Sequence, residues 1–396
     1  MVAAVESMAT EEYSAQTLSV LRSDPLKTVL TKKSIGEFHI AKLFKDNKAP
    51  VTSLDYDPTG TCCITTSADE SLRIYTCVQG TRDRVSYSKK YGCSLAQFTK
   101  QPGCVAYAST KINDIVRYLS YETNQFIRYF VGHSGRVTSL QRSPDGGSTI
   151  LSAALDGTVR IWDLGSADSA ATVRPVLSAK GDNRSVNELG IAAAYDPSAS
   201  VIAVALASSE IQLFDVREMK RGPFKTAPLA SEMPHMAAGN APASVVAGVK
   251  FVPPFGDHIL VAMADGSSRI VDAFSLECRL SLALATTNRS THEPGAQNEG
   301  DSLALERMQQ GYFGQRVTIT PDGKTVLAGC DNGSVTFWDI SMTWDVEAKS
   351  SVPSLPPVGV WDGAHEDGGA IGVCAFNPHL MECFTGSSSL ALWSVM

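Results

Sequence analysis

From about residue 36 onward, apolar and polar positions alternate with a period of two in short runs, each closed by Gly, Pro, Asp or Ser. Period two places successive side chains on opposite faces, so the pattern predicts short antiparallel strands joined by tight turns. The clearest unit is Gly132 to Asp163, GHSGRVTSLQRSPDGGSTILSAALDGTVRIWD. A Gly-His pair leads into one alternating strand, a Ser-Pro turn into a second, and an Asp-Gly turn into a third that ends Trp-Asp. Variations on this unit recur. The first begins at Val51 (VTSLDYDPTG, CCITTSAD, SLRIYT); the second is CSLAQFTKQPG, CVAYASTKIND, IVRYLS and NQFIRYF; the third is the reference unit. The fourth runs through NELGIAAAYDPSA, VIAVALASSE and IQLFDVR, and the fifth through SVVAGVKFVPP, HILVAMADG and SSRIVDAF. The sixth is QRVTITPDG, TVLAGCDNG, SVTFWDIS, and the seventh AIGVCAFNP, ECFTGSS, LALWSV.

Tyr75, Leu119, Trp162, Phe214, Val271, Trp338 and Trp393 occupy equivalent positions near the ends of the third strands. Their first steps are close to the ~40–45 residues of WD repeats, and later steps lengthen where loops are inserted. The expected fold is therefore all-β, a seven-bladed WD-repeat β-propeller. His133, Ser152, Asp156 and Trp162 fall where such blades build a buried chain of hydrogen bonds, the indole donating to Ser, Ser to His and His to the turn Asp. Ser, His and Asp also make hydrolase triads. Ser152 lies inside an alternating strand, where its hydroxyl is buried, so the four residues read as a structural tetrad and no residue reads as catalytic.

The seventh unit supplies three strands, and the run GEFHIAKLFKDN, Gly36 to Asn47, has no blade of its own. Pairing the two closes the ring and removes open edges. Residues 1–34 read as an N-terminal extension, mobile or a short helix, with weak helical periodicity from Ala15 to Leu30. Residues 35–396 read as the propeller, with insertions at 228–241 and 284–311; the second is polar, with Glu293, Glu299, Asp301 and Glu306 and a short helical run from Ser302 to Gln310.

Composition narrows the function classes. Hydrophobic residues are 43% of the 396, ample for a core. Only 19% are charged and the net charge is −7, which argues against nucleic-acid binding through the overall field, so any anion site is local. Nine cysteines show no CxxC and no Cys/His ligand spacing, and Cys62, Cys63 and Cys374 fall in apolar strands. They read as small core residues in a reducing compartment, with neither metal nor cofactor expected. The stretch MVAAVESMATEEYSAQ lacks a basic region before an apolar core, and the longest apolar run, Val201 to Ala207, is too short to cross a bilayer. The expectation is a soluble intracellular protein with no membrane partner.

The segments that depart from the generic repeat are more specific. YSKKYG (Tyr87 to Gly92), STKINDIVRYLS (Ser109 to Ser120) and NQFIRYFVGH (Asn124 to His133) resemble the Swd2 family. So do KRGPFKT (Lys220 to Thr226), VDAF (Val271 to Phe274), FNPHLM (Phe376 to Met381) and LALW (Leu390 to Trp393), and the resemblance runs from near Leu43 to the end. It implies a non-catalytic nuclear adaptor. In that family the adaptor serves COMPASS, the histone H3 lysine 4 methyltransferase complex, by engaging the N-terminal region of the catalytic subunit. In fungi it also belongs to the cleavage and polyadenylation factor, near its phosphatase module. The resemblance further implies recognition of the serine-phosphorylated tail of RNA polymerase II, tying histone methylation, transcript 3′-end processing and termination to the polymerase.

The loops joining fourth to first strands and second to third strands lie on one face of a propeller. Lys89, Lys90, Tyr91, Lys111 and Arg136 are therefore expected to gather on top of neighbouring blades, a surface fit to grip a phosphoserine. Arg117 and Arg128 fall within strands and are expected to brace Asp114 or a neighbouring blade. FDVR, Phe214 to Arg217, resembles the Asp-x-Arg box by which some propellers dock on the adaptor of cullin ubiquitin ligases, which gives a substrate receptor as the alternative function. No Gly-rich phosphate loop opens a helix and no carboxylate pair stands apart from turns, so an enzyme is not expected.

Overall fold

A computed structural model describes residues 32–166, 168–175, 191–206, 210–229, 246–263, 266–282, 315–341, 352–363, 365 and 369–395. The expected N-terminal helix at 15–30 and the second insertion at 284–311 lie outside these residues, as does all but the start of the first insertion.

Helix α1 (Lys32–Gly36) precedes strand β1 (His39–Phe44). Blade 1 is β2 (Val51–Tyr56), β3 (Cys62–Ser67), β4 (Ser71–Thr76) and β5 (Thr81–Tyr87). Blade 2 is β6 (Ser94–Phe98), β7 (Cys104–Ala108), β8 (Val116–Ser120) and β9 (Gln125–Phe130). Blade 3 is β10 (Val137–Arg142), β11 (Thr149–Ala154), β12 (Val159–Asp163) and β13 (Ser169–Val173). Blade 4 is β14 (Ile191–Tyr195), β15 (Val201–Leu206), β16 (Glu210–Asp215) and β17 (Lys225–Pro228). Blade 5 is β18 (Val246–Phe251), β19 (His258–Met263), β20 (Ser268–Asp272) and β21 (Cys278–Leu282). Blade 6 begins with β22 (Val317–Ile319), β23 (Thr325–Gly329) and β24 (Val335–Asp339). Then β25 (Ser354–Leu355) crosses back to pair in parallel with β21, and β26 (Gly359–Trp361) completes blade 6. Blade 7 is β27 (Val373–Phe376), β28 (Glu382–Gly386) and β29 (Leu390–Ser394), with β1 as its outer strand.

Seven sheets, antiparallel apart from the β21–β25 pair, thus form the propeller, with one departure from expectation in the fifth strand that β25 adds to blade 5. The first insertion also starts later than expected, because Pro228 is still paired in β17, opposite Glu210.

Seven apolar clusters fill the seven interfaces between neighbouring blades. Each contains one of the seven equivalent third-strand residues, pointing at the preceding blade: Trp162 at blade 2, Trp338 at blade 5, Trp393 at blade 6. This explains why that position takes a large side chain, since sheets that radiate from an axis leave a wedge that must be filled to native density. Where the position holds only Leu119 or Val271, neighbours such as Tyr107 or Leu276 supply the bulk.

The inner strands are stitched across interfaces by polar side chains. Ser53 Oγ accepts from Ala96 N at 3.0 Å and Asp55 Oδ2 from Phe98 N at 2.9 Å, tying blade 1 to blade 2. Ser139 and Gln141 repeat the device from blade 3 to blade 4, accepting from Ala193 N and Tyr195 N. Lys250 Nζ donates to Val317 O at 2.8 Å between blades 5 and 6.

Closure is built from both termini of the ring. β1 pairs antiparallel with β29, from His39 opposite Ser394 to Phe44 opposite Leu390. Phe38 stacks on Trp361 with ring centres 4.9 Å apart, and the Trp361 indole donates to Ile35 O at 2.9 Å. The FNPHLM segment completes the seam with blade 1. Asn377 Nδ2 donates to Gly60 O at 2.8 Å and His379 Nε2 lies 2.9 Å from Pro58 O. Gly60 has φ +70°, and a Cβ there would fall 2.3 Å from Asn377 Oδ1, so both the turn and the latch require glycine.

Burial in the same region pushes the Glu382 carboxyl up to about 7 from its ordinary 4.5, and its Oε2 has no partner among the described residues. A carboxyl raised in the folded state takes up a proton on folding. Its contribution is therefore fully present below about pH 4.5 and lost as pH rises through 7. Glu382→Gln is expected to change stability little at pH 5 and to increase it by about 2 kcal/mol at pH 8, after allowance for partial solvent screening. Urea melts at the two pH values check this; equal shifts at both would contradict it.

Candidate binding surface and the buried polar tetrad

In blade 3 the third-strand indole, Trp162 Nε1, donates to Ser152 Oγ at 2.8 Å. Ser152 Oγ lies 2.7 Å from His133 Nε2, and His133 Nδ1 lies 3.0 Å from Asp156 Oδ2. Ser152 Oγ therefore bridges the Trp162 indole and one nitrogen of the His133 ring, while the other nitrogen faces Asp156. Burial alone would raise the Asp156 carboxyl. Hydrogen bonds from His133, the Thr158 hydroxyl and Ser134 N outweigh it and hold the group well below the usual carboxylate range. The Ser152 and His133 side chains are inaccessible to solvent, so no substrate carbonyl can reach the hydroxyl. The arrangement orients the loop before β10 on the strands beneath it.

Blade 7 holds a second chain of this type that the sequence reading missed. Trp393 Nε1 donates to Thr385 Oγ1 at 2.9 Å, His365 Nε2 lies 3.3 Å from that oxygen, and His365 Nδ1 lies 2.7 Å from Ser389 Oγ. Blade 6 keeps the Trp but, among the described residues, not the chain. Ala328 stands where Ser152 stands, and the Trp338 Nε1 is buried with no partner among the described residues.

Of the expected surface residues, the structure brings four together where blade 1 meets blade 2. Lys89, Lys90 and Tyr91 lie between β5 and β6, and Lys111 between β7 and β8. Tyr91 O accepts from Lys111 N at 2.8 Å and from Thr110 N at 3.0 Å. The ammonium of Lys90 lies 5.2 Å from the Tyr91 ring centre and that of Lys89 5.6 Å from the Tyr87 ring centre, both on exposed side chains. Lys111 is ion-paired with Glu70, so part of its charge is already met.

Arg136 lies in the loop before β10. There it acts on Asp114, whose carboxyl burial raises and which His133 and Arg136 pull back. Of the two roles expected of Arg117, bracing Asp114 or a neighbouring blade, its contacts favour the second. Its Nε donates to Ser109 Oγ at 2.8 Å, and its guanidinium lies 3.6 Å from the Tyr91 ring centre. A strand interior made Arg117 read as purely structural, but Tyr91 reaches it from the loop above.

The WD domain, G-beta repeat family matches residues 39–76, 124–163 and 315–339. The first match starts on the closing strand, so the sequence repeat is offset from the blade. The Set1 complex component swd2 of Schizosaccharomyces pombe is 32% identical over 229 residues, 57% of each chain. COMPASS component SWD2 of Saccharomyces cerevisiae is 28% identical over 316 residues, 79% of this chain and 84% of the relative. WD repeat-containing protein 82 of Drosophila melanogaster is 30% identical over 372 residues, 93% of this chain and 98% of the relative. The chain belongs to the Swd2 family of WD-repeat proteins.

In this Swd2-family ring the Asp-x-Arg pair has a local job. Asp215 caps the 3-10 turn Val216–Arg221 by accepting from Arg217 N, and Arg217 folds back so that its Nη2 lies 3.1 Å from Asp215 Oδ2. Hydrogen bonds from the Arg217 side chain and backbone hold the Asp215 carboxyl below its ordinary value. Among the described residues, no group of three His, Cys, Asp or Glu is arranged to hold a metal ion, and no helix is long and apolar enough to cross a membrane.

Proposed function

We propose that this Swd2-family chain is a non-catalytic nuclear adaptor. On this reading it serves a COMPASS-type histone H3 lysine 4 methyltransferase by binding the N-terminal region of the catalytic subunit. It also serves the cleavage and polyadenylation factor through the phosphatase module, and it meets the phosphorylated RNA polymerase II tail. The names of the two yeast relatives support the methyltransferase part; the family resemblance supports the rest. One observation carries the adaptor reading. The Ser-His-Asp set that would react is sealed inside blade 3, while Lys89 and Lys90, which would bind, stand exposed between blades 1 and 2 beside the half-buried Tyr91. The mechanism is geometric: a rigid ring holds separate peptides on separate faces and gains avidity without chemistry. At the blade 1 and 2 junction, two ammonium groups beside aromatic rings suit the three oxygens of a phosphoserine through charge-assisted bonds.

The test is a fluorescence-anisotropy titration of serine-phosphorylated and unphosphorylated polymerase-tail peptides. Wild type is expected to prefer the phosphorylated form. Lys89→Glu with Lys90→Glu is expected to lower its affinity at least tenfold without moving the melting temperature, since both side chains are exposed. Unchanged binding by the double variant would remove this surface from the account.

A further inference from the structure

A guanidinium taken out of water is costly unless an opposite charge meets it. Among the described residues three arginines are buried: Arg73, Arg117 and Arg316. Arg73 lies 3.0 Å from Asp69 and Arg316 2.8 Å from Asp331. Arg117, 3% exposed, meets no carboxylate among the described residues. Its Nε donates to the Ser109 hydroxyl and its Nη2 to Asn113 Oδ1 at 3.3 Å. Three aromatic rings complete its contacts, with centres 3.6 Å (Tyr91), 5.2 Å (Tyr129) and 5.6 Å (Phe126) from the guanidinium carbon.

These rings and the cations above them share one side of blade 2, the side turned to blade 1. Leu119, on the same face of β8 as Arg117, packs with Ile64, Leu72 and Ile74 of blade 1, and Arg84 of β5 donates across the junction to Tyr121 O and Glu122 O, both at 3.3 Å. Phe126 and Tyr129, with ring centres 5.4 Å apart, are 40% and 45% exposed there. Tyr91 links them to the loop above, because Arg117 lies against its ring and the Lys90 ammonium lies 5.2 Å from the same ring centre. The acids of the junction are engaged or distant. Glu70 and Asp83 face Lys111 and Arg84, Asp114 feels His133 and Arg136, and Glu122 sits in the turn between β8 and β9. Lys89, Lys90 and Arg117 are left without a counter-charge among the described residues, beside two open rings.

We propose that Phe126 and Tyr129 form a second subsite of the phosphoserine surface, one that seats a proline or aromatic ring of the same peptide. The inference deepens the proposed function and rests on its phosphoserine reading. The phosphate takes the ammonium groups of Lys89 and Lys90, and the ring lies against the two exposed aromatics, whose faces and edges suit stacking and proline contact. The contacts from Lys90 through Tyr91 and Arg117 to Tyr129 are short enough for about four residues of an extended segment to span. Arg117, behind Tyr91, adds its unmatched charge to the field that holds the phosphate. A phosphoserine without a nearby ring fills half of the site, so the surface selects phosphoserine in a ring-containing context rather than phosphate in general.

Anisotropy titrations of the full-length protein with two serine-phosphorylated polymerase-tail peptides test it, the second carrying alanine for every proline and aromatic residue within four positions of the phosphoserine. Wild type is expected to bind the ring-free peptide at least fivefold more weakly, a readout that leaves the protein unaltered. Phe126→Ala with Tyr129→Ala is expected to bind both peptides alike, at the weaker level, and to keep its preference for phosphorylated over unphosphorylated peptide. Equal binding of the two phosphopeptides by wild type, or a ring dependence that survives in the double variant, overturns the subsite and leaves the phosphoserine reading standing. A wild type that does not prefer phosphorylated peptide overturns both.

Discussion

Deletion of residues 36–46 is expected to abolish the cooperative melting transition. The deletion removes β1, the partner of the open side of β29, together with Phe38 and Phe44 from two inter-blade clusters. It also unstacks Trp361 from Phe38. Burial of three or four apolar side chains of this size is worth about 6–10 kcal/mol, comparable to the roughly 5–15 kcal/mol that stabilises a whole domain. The exposed β29 edge would also template aggregation. Phe38→Ala, a smaller version of the same lesion, is expected to cost about 3–4 kcal/mol. Calorimetry and far-ultraviolet circular dichroism check both; a soluble deletion product that melts cooperatively would show that β1 is not the closing strand.

The second large effect lies in the buried tetrad. Ser152→Ala strands the Trp162 N–H and the His133 Nε2 in a dry interior and is expected to cost about 2–4 kcal/mol. A matched pair isolates the hydrogen bond. Trp162→Phe and Trp338→Phe remove the same volume from equivalent positions, but of the two only Trp162 has an acceptor for its N–H among the described residues. The cavity terms are similar, so Trp162→Phe is expected to be worse by about 1–2 kcal/mol in urea denaturation. Equal losses would mean that the tetrad contributes shape rather than hydrogen bonding.

What could be read from the sequence was local. Period-two runs with Asp-Gly and Ser-Pro turns define strands whose partners are a few residues away, and a single Gly-His with a Trp-Asp terminus marks the blade 3 tetrad. The second chain escaped because its polar partners changed while the geometry stayed. His365 precedes Thr385 by 20 residues, as His133 precedes Ser152 by 19, but Thr and Ser389 stand for Ser and Asp. What escaped elsewhere was non-local. β25 has two residues and is fixed by pairing with β21, more than seventy positions earlier. Ser53, Asp55 and Gln141 are ordinary polar positions in their strands until the next blade presents a backbone N–H to them. Arg117 depends in the same way on a loop tyrosine from across the blade junction.

The central claim is that the ring is an adaptor. Affinity purification of the tagged full-length protein from its own cells, with mass spectrometry of what is retained at moderate salt, tests it most directly. The account predicts methyltransferase-complex subunits together with cleavage-factor or phosphatase subunits. Recovery of a cullin-ligase adaptor in their place, or of neither set, would contradict it.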